Sequence, residues 1–223
     1  MKLVHPDLQF QVEFKEVQIP ICIVESPVYW RKIQMELLTQ CQGKDGKWVL
    51  SHDDKELKFL KSVEMIMNPI QLEENQKQII TSFLHTLGQK AMSEDYWKKG
   101  QELNAEIQKF FAEIEREFPF EFCIHSEIDF TALAKAMGIQ IESDYETVLE
   151  RLLQYCILVK EIKKNALFIF WNLHDYFTVS ELKRFYQEIM VRKWNVLLME
   201  NSIGEHLPME KHYIIDKDNC EIY

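Results

Sequence analysis

Glu25, Asn172, Asp175 and Glu200 each stand at or just beyond the end of an apolar, strand-like run, at residues 19–24, 166–171 and 196–199. Parallel α/β sheets place ligands at that end of their strands, and carboxylates gathered there would suit a Mg2+-dependent nuclease or phosphotransferase. No His or Lys is spaced to complete such a site. His174 and Asp175 are adjacent, and neighbours in an extended chain point apart, so His174 reads as a loop histidine. The run before Glu25 leads into a helical pattern over residues 29–41, the frame on which nucleotide-binding α/β proteins carry a phosphate loop. Such a loop needs glycines whose N–H groups wrap the phosphates, a Lys for the terminal phosphates and a Ser or Thr for the metal. Here stand Glu25, Ser26, Pro27, Val28 and Tyr29. A carboxylate, a ring without an N–H and β-branched bulk cannot cradle an anion. The expectation is a nucleotide-binding scaffold stripped of its chemistry, with no catalytic residue and no ATP hydrolysis.

The remaining charges form two sets. Glu113, Glu115, Glu117, Glu121, Glu127 and Asp129 crowd the point where a long helical stretch hands over to a linker, and read first as a solvated helix face with an N-cap. Lys98-Lys99, Lys163-Lys164, Arg192-Lys193 and Arg31-Lys32 are basic pairs in or near helical segments. Cations near helix C-termini are favourable partners of the macrodipole.

The elements that must position these groups follow from patterning. Leu8, Phe10, Val12 and Phe14 alternate with polar residues, as in a strand with one wet face. Short strands are expected near 48–50 and 62–67, the latter stopped by Asn68-Pro69. From Leu72 the texture turns helical, with Ile79, Ile80, Phe83, Leu84 and Leu87 leading to Gly88. A second long helix follows Ser93, its Leu103, Ile107, Phe110 and Ile114 forming a coiled-coil-like seam. Asp129 caps a short helix that ends at Gly138, and Ser143 with Glu146 reads as a capping box for the next. The ALFIFW strand at 166–171, a helix capped by Thr178 and Glu181, and a strand at 196–199 make a β-α-β unit. The tail HYIID…CEIY reads as a closing hairpin or edge pair. The fold class is α/β, a discontinuous head at 1–70 and 165–223 with a helical leg inserted at 71–164.

With 223 residues and 47% hydrophobic content the chain can bury a full core. It contains no apolar stretch of membrane-spanning length and no leader-like start, so a cytoplasmic protein is expected. Cys22, Cys41, Cys123, Cys156 and Cys220 are odd in number and lie far apart, which argues against disulfides and structural zinc and for small buried hydrophobes. The net charge of −10 speaks against a nucleic-acid partner only weakly, because phosphate contacts depend on local Lys and Arg.

The segment AKAMGIQIE at 134–142, the preceding Cys123, Glu127 and Asp129, the strand-to-helix stretch 166–182 and the final Tyr213-Ile-Ile-Asp-Lys-Asp together resemble the Csn-two family of type II-A CRISPR systems. The resemblance implies a P-loop-NTPase-like α/β head without ATPase activity, a helical leg and a homotetrameric ring stabilised by Ca2+. It also implies sequence-independent binding of double-stranded DNA ends during spacer acquisition, with other CRISPR adaptation proteins as further partners. It points to Glu127 and Asp129 as metal ligands; with DNA as the partner, the basic pairs Lys98-Lys99, Lys163-Lys164 and Arg192-Lys193 read from the sequence are the candidate DNA contacts. Family members carry more carboxylates just after the position of Asp129, where this chain has Phe130, Thr131 and Ala132. Calcium wants six to eight oxygens, so binding here is expected to be weak or absent.

Overall fold

A computed structural model describes residues 1–141 and 145–223, with the backbone alone for 73–76 and 78. In chain order the strands and helices are β1 (Lys2–Val4), β2 (Val12–Glu13), β3 (Ile19–Val24), α1 (Pro27–Cys41), β4 (Val49–His52), β5 (Lys55–Leu57), α2 (Phe59–Ser62), β6 (Val63–Ile66) and α3 (Glu73–Ala91). Then come α4 (Trp97–Glu115), α5 (Phe130–Ala136), α6 (Val148–Ile162), β7 (Leu167–Trp171), a 3-10 turn (Leu173–Asp175), α7 (Val179–Arg192), β8 (Asn195–Glu200), β9 (Glu210–Ile215) and β10 (Glu221–Ile222). The chain is mixed α/β, and its contacts divide it into two units, Met1–Glu73 with Ser143–Tyr223, and Glu74–Glu142. Among the described residues no helix is long and apolar enough to cross a membrane.

The first unit is built on a six-stranded sheet of order β10-β9-β3-β8-β7-β6, parallel from β9 to β6 and closed at one edge by antiparallel β10. Strands β3 and β7 are buried along their whole length, as expected for apolar runs covered on both faces. One face of the sheet packs Cys22, Val24, Ile169, Trp171, Leu197 and Tyr213 against Ile33 and Leu37 of α1 and against the small antiparallel sheet β2-β1-β4-β5. The Gln40 side chain joins helix to small sheet, accepting from the Trp48 N–H and donating to the Trp48 carbonyl, each at 2.9 Å. The register places Ile19, Ile21 and Ile23 on the opposite face, level with Glu210, His212 and Ile214. There Phe170 meets Phe185 of α7 edge-on at 5.3 Å.

The tail is a hairpin in part: β10 pairs antiparallel with β9, but β9 itself lies in the sheet interior, parallel to β3. Strand β3 therefore has β8 on one side and β9 on the other, and its connection and that of β8 leave in opposite directions. The alternation over residues 8–14 survives as burial of Phe10 and Val12, but not as one strand. The N–H groups of Gln9 and Phe10 are taken by the Glu221 carboxylate instead of a neighbouring strand.

Helix α6 begins at the Thr147 cap, whose hydroxyl accepts from Glu150 N–H. The expected Ser143 cap lies outside the described residues. The helix buries Leu149, Leu152, Leu153, Tyr155, Cys156 and Val159, and it groups with the sheet, whereas the sequence reading carried the helical leg through residue 164. Thr178 and Glu181 form the expected capping box of α7.

In the second unit α3 runs past Gly88, where a Cβ would stand 2.2 Å from Thr131 Oγ1, so glycine permits the first turn of α5 to approach. Gly138, at φ 65°, terminates α5 in the left-handed conformation. Helix α4 buries none of its side chains, and Leu103 and Phe110 of the expected seam are exposed. All five cysteines are free. Cys22 and Cys156 are buried and Cys41 partly so, but Cys123 and Cys220 are exposed, contrary to the expectation of five buried thiols.

Candidate functional site

Glu25 and Ser26 alone connect β3 to α1. The Glu25 N–H donates to the Ile215 carbonyl at 2.9 Å, Ser26 makes no side-chain cap, and Pro27 at the start of the helix has no N–H. Trp30 packs edge-on against Trp171 at 4.7 Å, and burial pushes the Tyr29 hydroxyl up to about 12. The position where a phosphate loop would wrap its ligand is therefore a two-residue turn with one amide committed to the sheet, one amide missing and aromatic packing behind it.

The four polar residues past the strand ends have different fates. Glu25 is half-buried at the turn and Asp175 is exposed. Asn172 adopts the left-handed conformation (φ 49°, ψ 43°), and its N–H donates to the Met199 carbonyl. Glu200 is 4% exposed and accepts from the His174 N–H at 3.3 Å; burial pushes its carboxyl up to about 7. Among the described residues no three His, Cys, Asp or Glu side chains converge on a point where a metal could sit.

The structure assembles a polar cluster around a residue that the sequence reading did not single out. The Glu210 side chain is fully buried at the start of β9. Its carboxylate accepts from the Tyr186 hydroxyl (2.8 Å), the Leu207 N–H (3.0 Å) and His212 Nε2 (2.9 Å), with His174 Nε2 at 3.4 Å. Burial opposes the charge of Glu210, but these donors outweigh it and hold the carboxyl near about 2. Burial also works against a charged His174, yet Glu210, Glu200 and Asp175 raise it above its ordinary value. The legible signal was Glu210-Lys211-His212, whose period of two puts carboxylate and imidazole on one face. His174, read as a loop histidine, is part of this cluster.

Glu127 and Asp129 lie on exposed backbone before α5. Asp129 is the N-cap: its Oδ1 accepts from Thr131 N–H (2.8 Å) and Ala132 N–H (3.1 Å). The segment ahead of it is tied to α4 by Asn104 and Gln108, both donating to the Ser126 carbonyl. Two carboxylates, one of them already capping a helix, fall short of the oxygens calcium requires. Asp129→Ala is accordingly expected to cost about 1 kcal/mol, the worth of an N-cap. Thermal unfolding should show the same loss in chelator and in Ca2+; a loss confined to Ca2+ would restore the ligand role.

The basic pairs separate clearly. Lys163 is committed to the first unit: its Nζ lies 2.8 Å from Glu64 Oε2 and 3.0 Å from the Val63 carbonyl, so it is no free phosphate contact. Arg192 pairs with Glu188 at 2.8 Å and rests over Trp194; Lys193 pairs with Glu16 at 2.9 Å. Lys32 pairs with Asp7. Lys164 is exposed. Lys98 and Lys99 are exposed in the first turn of α4, which holds no acidic residue, and among the described residues neither has an ion-pair partner. This is the positive end of a helix, where two lysines are unfavourable for folding.

The family described as CRISPR-associated protein (Cas_Csn2) matches residues 40–219. A CRISPR-associated protein Csn2 of Streptococcus agalactiae is 26% identical over 132 residues, 56% of this chain and 58% of that protein. A CRISPR-associated protein Csn2 of Enterococcus faecalis is 26% identical over 124 residues, 52% of this chain and 55% of that protein. The matched stretch thus spans little more than half the length of each relative. Since the family match covers most of the sequence, from α1 to the turn before β10, the chain belongs to the Csn2 family of CRISPR-associated proteins.

Proposed function

We propose that this protein binds the ends of double-stranded DNA without reading sequence, as a non-catalytic homotetrameric ring acting in CRISPR spacer acquisition in the cytoplasm. The observation that carries the reading is membership of a CRISPR-associated family by a chain whose β3–α1 turn offers no cradle for a nucleotide phosphate. The first unit is then a P-loop-NTPase-like head that has kept the sheet and lost the phosphate site, and the second is its helical leg. Lysines in a helix's first turn, exposed and with no ion-pair partner among the described residues, support a phosphate contact better than they support folding. A ring reconciles DNA binding with a net charge of −10: lysines facing a lumen make a positive channel while the outer surface stays acidic, and repetition around the ring turns weak contacts into avidity. Calcium, if it joins subunits, draws on more oxygens than Glu127 and Asp129 supply.

Threading makes DNA ends the point of entry. Linear duplexes with free ends should be retained, the same duplexes with blocked ends should not, and affinity should fall steeply with salt through counterion release. Equal retention of free and blocked DNA would defeat the threading reading. Mg2+-dependent cleavage products sensitive to Glu25 or Glu200 would favour a nuclease instead.

A further inference from the structure

Strands β8 and β9 both run parallel to β3 and lie on either side of it, so residues 201–209 must cross over one strand. Such crossovers usually take a dozen or more residues and a helix that covers the sheet. This one has no helix. What it has is contact with the buried cluster: the Leu207 N–H donates to the Glu210 carboxylate, the Leu207 carbonyl accepts from the Glu210 N–H at 3.0 Å, the His206 ring lies 4.5 Å from the His212 ring, and a Cβ added at Gly204 would stand 3.5 Å from His174 Nδ1. Leu207 is buried beneath, while residues 201–206 are exposed.

We propose that residues 201–209 form a strap, latched to the sheet by the Glu210 carboxylate and the imidazoles of His174 and His212, and that loss of the His174 proton releases it. The groups that face the latch are Glu200 from β8, Asp175 beside His174, Tyr186 from α7, His206 from the strap, and Glu210 and His212 from β9. With His174 protonated, its charge offsets Glu210. Once it is neutral, Glu210 keeps its charge with no opposing cation from His174, and Glu200 ionises over the same range. A charge left buried in that state is costly, and the strap, although its Met209 carbonyl accepts from the Ile19 N–H of β3 at 2.8 Å, forms no helix or strand of its own.

The direction of the pH dependence is fixed by the two shifts. His174 is raised in the fold, so its contribution is complete below 6.5 and is lost as pH rises through its raised value. Glu200, raised from 4.5 to about 7, likewise contributes at low pH and loses that contribution as pH rises through about 7. Glu210 is depressed to about 2, so it contributes above 4.5 and is lost only in strong acid.

Hydrogen exchange, corrected for the chemical exchange rate and read at a pH below 6.5 and at a pH above that at which the His174 ring is seen to lose its proton, should show protection of the Leu207 amide falling by about tenfold or more, while amides of β3 and α7 hold theirs. In His174→Gln the Leu207 amide should be weakly protected at both pH values. Should that variant not fold, the His174 ring resonance of the unmodified chain should titrate together with the exchange of the strap amides. Constant protection of Leu207 across the His174 titration would overturn the latch, as would an unchanged pH dependence in folded His174→Gln. Neither outcome depends on whether the protein binds DNA.

Discussion

Lys163→Met is expected to destabilise the sheet-bearing unit by about 3 kcal/mol, the lower end of what breaking a buried ion pair costs. Glu64 is 7% exposed on the edge strand β6, where the Tyr155 hydroxyl donates to one carboxylate oxygen and Lys163 Nζ to the other. Removing the ammonium takes the Nζ at 2.8 Å away from a buried carboxylate, and also frees the Val63 carbonyl that Nζ serves. The Lys163 side chain retains some solvent contact, at 19% exposure, which is why the low end applies. Adding Glu64→Gln to Lys163→Met should recover part of the loss, because a neutral amide still accepts from Tyr155. Urea denaturation gives both numbers from the midpoint at constant slope. A loss below about 1 kcal/mol, the value of an exposed pair, or no recovery in the double variant would show that Lys163 and Glu64 do not act as a buried pair.

Elements that announce themselves locally were legible. Strands β3, β7 and β8 are apolar runs bounded by polar residues, and α7 opens on a Ser/Thr-x-x-Glu signature that the fold uses. In α6 the described cap is Thr147, whose hydroxyl accepts from the Glu150 N–H, while the Ser143 that the sequence offered as a cap lies outside the described residues. Partners distant in sequence were not legible. Glu221 takes the amides of Gln9 and Phe10 from more than two hundred residues away, so an alternating stretch that looks like a strand becomes an irregular edge.

Long-range register also decided how much of the site could be foreseen. Glu200 was found because it ends an apolar run, and the β3–α1 turn because the residues a phosphate needs are absent by type. Glu210 and His212 acquire their importance only from the placement of β9 beside β3, which leaves Glu210 level with Ile19 and under the crossover strap. A tail read as a terminal hairpin gives no hint of that. Lys163 shows the converse: a basic pair on paper, but with one member folded against Glu64, 99 residues away.

Lys98→Glu with Lys99→Glu should abolish most DNA binding while leaving the fold slightly more stable. Both lysines lie in the first turn of α4, where the helix dipole disfavours cations and favours carboxylates by about 0.3–1 kcal/mol each. Charge reversal there cannot be expected to unfold the protein, so a loss of binding reports on contact alone. Each phosphate neutralised contributes about −0.9 to the slope of log affinity against log salt. Two lysines engaged from one subunit would therefore flatten the slope by about 2, and the same pair engaged from four subunits by up to about 7. The comparison is Arg192→Glu with Lys193→Glu, a pair whose cations are held by Glu188 and Glu16 and whose reversal should change the slope little. Affinities measured over a salt series, with melting temperatures for each variant, decide the matter. An unchanged slope for the Lys98 and Lys99 variant beside a flattened one for Arg192 and Lys193 would move the DNA contact from α4 to the C-terminal end of α7. A flattened slope in the first variant alone would show, from its size, how many subunits hold one duplex.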